Sequence, residues 1–122
     1  MADTLIEVFE ESVAINLFGA FRMAVACKAM LAASELSGGG SIINLASMSS
    51  FVAVPIVPGY GAAKAGIVQM TLNLAVAWVK DGVRVNAVAP GLIESNQIAL
   101  SVLTTVVSAN ADYFIFDAGS KT

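Results

Sequence analysis

The sequence predicts an α/β fold, with a mainly parallel sheet of about three strands and long flanking helices. Two patterns predict it. Residues 41–90 read in order as a short apolar strand, a loop, a helix and a second strand, which makes a βαβ unit with a right-handed crossover. Ahead of that unit, residues 5–36 carry apolar side chains at roughly helical spacing.

Each element has its own signals. Thr4 followed by Glu7 fits a capping box, and Leu5, Val8, Phe9, Val13, Ile15 and Leu17 then continue the helical spacing, so residues 5–36 form one long, kinked helix. Ser37 to Gly40 stops it. "SIINLA", residues 41–46, is a β-branched apolar run of the kind that forms a parallel strand covered on both faces. Serines, two prolines and a glycine make residues 47–59 a loop, and residues 60–80 form a helix that ends at Lys80-Asp81-Gly82. "VRVNAVAP", residues 83–90, is the second strand. "YFIFDAG", residues 113–119, supplies a third, with residues 96–112 as an irregular or helical connection.

The chain of 122 residues suits a single domain spanning 1–122, and its composition narrows the chemistry. It is 57% hydrophobic and 12% charged, well under the roughly one-quarter charged that is usual in soluble domains, so much of its surface meets something apolar. Arg22, Lys28, Asn44, Lys64, Gln69 and Asn73 interrupt the apolar stretches, which argues against a membrane span. The acidic start MADTLIEVFEES lacks the features of a secretory signal, giving the cytoplasm as the expected compartment. With no histidine and one cysteine, Cys27, which reads as core filler, metal sites have no ligand set. A net charge of −3 with six scattered basic residues gives no footprint for nucleic acid.

The segment "YGAAKAGIVQM", residues 60–70, puts Tyr60 and Lys64 four apart, on one helix face. A phenol titrates near 10, and an adjacent ammonium favours the phenolate, so Tyr60 can exchange a proton with an alcohol or carbonyl. Tyrosine with lysine at this spacing is common by chance. Three further features make the set specific: Ser47 thirteen residues earlier, "NAVAPG" at residues 86–91, and Asn16 in "INLFGAF". Taken singly, Ser47 also reads as a turn former among serines, Asn16 as a structural amide and Pro90-Gly91 as a strand-ending turn. A serine hydrolase lacks its histidine, and no GxSxG surrounds Ser47.

This ordered set resembles the short-chain dehydrogenase/reductase family over about residues 5–95, and "FDAG", residues 116–119, weakly resembles the family's C-terminal "VDGG" segment. The resemblance implies a partial Rossmann-like, doubly wound fold and an NAD- or NADP-dependent oxidoreductase that interconverts small-molecule alcohols and carbonyls. It implies that Tyr60 is the acid/base, that Lys64 lowers the tyrosine's pKa and holds the nicotinamide ribose, and that Ser47 hydrogen-bonds the substrate oxygen. Asn16 would maintain a water linking Lys64 to solvent. Pro90, Gly91 and Ile93 would border the nicotinamide, with Ser95 in place of a frequent threonine.

The glycine-rich turn that holds a dinucleotide's pyrophosphate follows a strand and opens a helix. "GGGS", residues 38–41, stands in the reverse context and is a connector. The sequence thus reads as the family's catalytic half, truncated before it. A non-catalytic remnant or self-association module is the alternative, and either reading implies homo-oligomers through the long helices.

Overall fold

Residues 2–32 contain no proline and a single glycine, Gly19, so nothing in them forces a helix to stop. The computed structural model describes the backbone of residues 2–91, 103–108 and 114–117 and the side chains of residues 5–91. A continuous helical rod opens it, made of α1 (Ala2–Val13), a π-helical turn (Ala14–Phe18) and α2 (Gly19–Ala32). The rod starts upstream of Thr4, which therefore lies inside a helix rather than capping one. It ends at Ala32, short of residue 36. In the π turn the Gly19 N–H donates to the Ala14 carbonyl, and one extra residue is wound into the helix.

Strand β1 (Gly40–Leu45) follows, then a 3₁₀ turn (Met48–Ser50), then α3 (Pro58–Trp78). Pro58 stands in the first helical turn, where a missing N–H costs nothing, so α3 begins two residues before Tyr60. After a short 3₁₀ turn it ends at Gly82, whose φ of 74° is the left-handed conformation usual after a helix. Strand β2 (Val83–Ala89) pairs parallel with β1, from Gly40 opposite Val83 to Leu45 opposite Val88. This is the expected βαβ unit.

Two further strands extend the sheet to the order β1-β2-β3-β4. β4 (Phe114–Asp117) is the predicted third strand, whereas β3 (Leu103–Ser108) lies in the segment expected as a connection. Both join antiparallel, β3 on β2 and β4 on β3, so the parallel part of the sheet is the β1–β2 pair. Chain length explains the second pairing. Only residues 109–113 join β3 to β4, and a parallel crossover needs about a dozen or more.

The core lies between α3 and one face of the sheet. Ala63, Ile67, Thr71, Leu74, Ala75 and Trp78 of α3 are buried there, against Val83, Val85, Ala87 and Ala89 of β2. Alanines at the contact let helix and sheet approach closely. The rod packs along α3, with Leu17 of the π turn seated so near Gly66 that a Cβ there would stand 2.8 Å from its side chain. At the far end, Lys28 pairs with Asp81 at 2.7 Å and lies 5.7 Å above the Trp78 ring, tying α2 to the foot of α3.

Coverage is one-sided. The strand expected to be covered on both faces buries Gly40 and Asn44 and leaves Ile43 and Leu45 exposed, at 68% and 63%. Both described helices of the unit pack on the opposite face, and among the described residues nothing lies over this one. Of the residues expected to interrupt apolar spans, Arg22, Lys28, Lys64, Gln69 and Asn73 fall inside continuous helices and Asn44 lies in β1. By length and composition alone, Leu5–Ala32 and Pro58–Asp81 are each apolar enough to cross a membrane, with mean hydropathies of 1.4 and 1.3.

Candidate active site

Parallel strands end together, and the crevice beyond their carboxyl ends is where open α/β sheets bind ligands. Here β1 and β2 deliver two loops to that end. The Ala46 N–H continues the strand ladder to the Val88 carbonyl, and the Met48 N–H donates to the Pro90 carbonyl at 2.9 Å, binding the serine turn to the Pro90-Gly91 turn.

Ser47 begins the 3₁₀ turn and caps it. Its hydroxyl oxygen accepts from the Ser49 N–H at 3.2 Å and from the Ser49 hydroxyl at 2.9 Å, while its own N–H donates to Ser50 Oγ. Ser47 therefore forms the turn, and its hydroxyl keeps a proton to donate. The first turn of α3 lies against this turn. A Cβ on Gly61 would stand 3.3 Å from the Ser49 carbonyl, and one on Gly59 would stand 2.8 Å from the Phe9 backbone of α1. The glycines on either side of Tyr60 thus let the start of α3 approach the serine turn and the rod closely.

Lys64 sits one turn along α3, its Nζ 5.5 Å from the centre of the Tyr60 ring. It is 9% exposed, and its ammonium donates to the Leu45 carbonyl at 2.7 Å. Burial lowers its pKa from the usual lysine value. An ammonium has three donors, so two remain for other groups. The Tyr60 hydroxyl makes no hydrogen bond to Ser47 or Lys64 among the described residues.

Asn16 lies in the π turn, half-buried, with its amide donating to the Ser12 carbonyl at 3.0 Å. That bond satisfies the structural reading and leaves the side-chain oxygen unused by it. Pro90 and Gly91 stand at the crevice, both half-buried. Ile93 and Ser95 lie outside the described residues.

Sequence reasoning missed a buried polar pair beneath the site. The Asn44 amide donates to Thr71 Oγ1 at 2.9 Å, and that hydroxyl donates to the Ile67 carbonyl at 2.7 Å. This locks α3 onto β1 next to Leu45, whose carbonyl holds Lys64. Lone polar residues inside apolar runs were the available signal, since a buried polar side chain needs a partner.

The residues fit the nicotinamide end of a dinucleotide at the carboxyl ends of β1 and β2: a lysine with donors beyond the one held by Leu45, and a turn fixed by a backbone bond. No strand–glycine turn–helix for the pyrophosphate occurs in the 122 residues.

Residues 1–108 match a family model described as enoyl-(acyl carrier protein) reductase. The chain is 40% identical over 98 residues to an uncharacterized short-chain type dehydrogenase/reductase of Sinorhizobium fredii, covering 80% of this chain and 17% of that protein. It is 39% identical over 92 residues to 2-(R)-hydroxypropyl-CoM dehydrogenase of Xanthobacter autotrophicus, covering 75% of this chain and 36% of the relative. Among solved structures, a gluconate 5-dehydrogenase from Burkholderia cenocepacia, in complex with NADP and tartrate, superposes with a TM-score of 0.64 at 31% identity. That match covers 71% of this chain and 33% of the other. The chain therefore spans well under half the length of these relatives.

Proposed function

The chain belongs to the short-chain dehydrogenase/reductase family, and from that premise we propose that it forms the catalytic part of an NAD- or NADP-dependent oxidoreductase acting on a small-molecule alcohol or carbonyl. The observation that carries this reading is the placing of Tyr60 and Lys64 on one face of α3, the lysine ammonium 5.5 Å from the tyrosine ring and bonded to the Leu45 carbonyl, at the end of the sheet where the serine turn is bonded to Pro90.

In this reading Tyr60 gives its phenolic proton to a carbonyl oxygen during reduction and takes it from the alcohol during oxidation. Ser47 donates its free hydroxyl proton to the same oxygen and orients it. Lys64 puts a positive charge near the ring, which favours negative charge on the phenol oxygen, and its two unused N–H groups are available to ribose hydroxyls. The Leu45 carbonyl fixes that ammonium. Asn16 is proposed to hold, through its amide oxygen, a water that passes protons between Lys64 and solvent. Pro90 and Gly91 border the nicotinamide, as does Ile93 by the resemblance, and Ser95 keeps a hydroxyl for the pyrophosphate or the carboxamide. The dinucleotide, when bound, supplies or accepts the hydride. The proposed setting is the cytoplasm.

The second reading, self-association through the long helices, is favoured by a separate observation. Among the described residues of the rod only Ala24 is buried, while Phe18, Phe21 and Met23 are 50%, 46% and 64% exposed. We propose that a second copy covers this surface, which is compatible with either an active or an inactive chain.

Turnover of secondary alcohols with NAD or NADP, wild type against Tyr60→Phe, tests the first reading. Loss of general acid–base catalysis should lower the rate by about 10²–10⁴-fold. A rate that survives the substitution removes Tyr60 from the chemistry.

A further inference from the structure

We infer that Asn44 and Thr71, buried beneath the site, are positioning residues for Lys64: their bond sets the register of α3 on β1 that brings the ammonium to the Leu45 carbonyl. The inference rests on the reading of Lys64 as the group that serves the Tyr60 phenol and the ribose.

Among the described residues, two side-chain bonds tie α3 to β1, and they land on neighbouring residues of the strand. The Asn44 amide reaches Thr71 Oγ1 at 2.9 Å, and the Lys64 ammonium reaches the Leu45 carbonyl at 2.7 Å. On α3 the same two anchors stand two turns apart along one face, roughly 10 Å. Two attachments at that separation hold a helix against both sliding and pivoting; one does not.

Apolar packing sets the register only loosely. The face of α3 that meets the sheet carries Ala63 and Ala75 beside Ile67 and Leu74, against Val85, Ala87 and Ala89 of β2, and such small side chains raise shallow ridges that interlock little. A buried polar contact is directional, and one such group is enough to fix the register of a coiled coil. Thr71 is 0% exposed and Asn44 7%, so an amide drawn off its hydroxyl there loses a bond without regaining water. The hydroxyl is also aimed. Its proton goes to the Ile67 carbonyl one turn back along α3, which leaves its oxygen to accept from Asn44.

Lys64 has little tolerance for a shift of α3. It is nearly buried, and its ammonium has exchanged much of its water for the carbonyl of the residue next to Asn44. A misplacement of about 1 Å in a catalytic group can cost about 10²-fold in rate.

The test reads the Lys64 ammonium in the whole chain, labelled with ¹⁵N-lysine; Lys64→Met assigns its signal among those of Lys28, Lys80 and Lys121. Wild-type Lys64 should exchange its N–H protons with water more slowly than exposed Lys80. Thr71→Val should speed that exchange about tenfold or more in folded protein, since losing a buried bond opens the contact locally by about that factor. Thr71→Ser should restore slow exchange. Asn44→Leu combined with Thr71→Val removes both polar groups and keeps their shape, so it should recover most of the lost stability while Lys64 still exchanges fast. That split separates placing the lysine from holding the fold together, and the double variant supplies the readout if Thr71→Val alone does not fold.

Lys64 exchange as fast as that of Lys80 in wild type, exchange unchanged in the valine and double variants, or slow exchange that returns together with stability in the double variant would each overturn the inference. Turnover distinguishes the underlying reading. The valine and double variants should fall toward the rate of Lys64→Met, with Thr71→Ser near wild type; turnover that survives Lys64→Met removes the lysine from the chemistry, and the pair's catalytic purpose with it, whatever the exchange rates show.

Discussion

The two long helices of this chain are alike in composition and opposite in use. α3 turns Ala63, Ile67, Thr71, Leu74, Ala75 and Trp78 into the sheet, whereas the rod of α1, π turn and α2 buries Ala24 alone among its described residues. The difference comes from position in the chain. α3 is the crossover between two parallel strands and must lie on their face; the rod precedes the first strand and rests along α3, with half of its apolar girth facing outward. Apolar content therefore does not say what is buried. Tyr60 and Lys64 sit on the locked helix, while Asn16 sits on the rod, whose apolar side chains stand mostly exposed among the described residues.

Single truncations should separate the two regions most sharply. Ile67→Ala, at a side chain 1% exposed, should lower the unfolding free energy by about 2–5 kcal/mol. Ile15→Ala, on the rod and 66% exposed, should change it by less than about 0.5 kcal/mol in dilute protein. Equal costs in denaturant unfolding would break the comparison by showing that the rod is already covered.

Thr71→Val should cost about 1–3 kcal/mol, because it removes the acceptor of the buried Asn44 amide while keeping the shape. Thr71→Ser should restore most of it. A valine variant as stable as wild type would mean that this bond does not anchor α3 on β1.

The cover itself is tested by Phe18→Asp, which puts a carboxylate in the exposed apolar surface. Sedimentation should show wild-type self-association at micromolar concentration, weakened about tenfold or more in the variant, or about 1.4 kcal/mol. Wild type that stays monomeric would remove the second copy as the cover.

Much of this architecture was legible in the residues. β-branched Ile42 and Ile43 marked the first strand, Gly82 marked the end of the crossover helix, whose start at Pro58 was read two residues late, and the spacing of Tyr60 and Lys64 fixed their common face. What escaped depends on relations between elements. The Asn44–Thr71 bond needs a strand and a helix in register, and the open face of β1 needs knowledge of which side the helices take. The π turn around Asn16, and the close approach of its Leu17 to Gly66, follow no local pattern. β3 is different: Thr104, Thr105, Val106 and Val107 carried an ordinary β signal that was assigned to a connection.

The smallest expected effect concerns pH. Burial lowers the Lys64 pKa, so the folded state releases its proton before the unfolded state does. Stability relative to Lys64→Met should accordingly rise as pH climbs through the range just below the ordinary lysine value of 10.5. A flat difference would place the ammonium in solvent.

The central claim is that this chain supplies the nicotinamide end of a dinucleotide site around Tyr60 and Lys64 and lacks the glycine-rich turn that holds the pyrophosphate. NMR titration with nicotinamide mononucleotide and with NAD tests it most directly. The account predicts weak binding of both, within about twofold of each other, with shifts at Lys64 and Tyr60 that vanish in Lys64→Met, since the adenosine half finds no glycine-rich turn to rest on. NAD binding about tenfold or more tighter than the mononucleotide, or binding that ignores Lys64→Met, would contradict it.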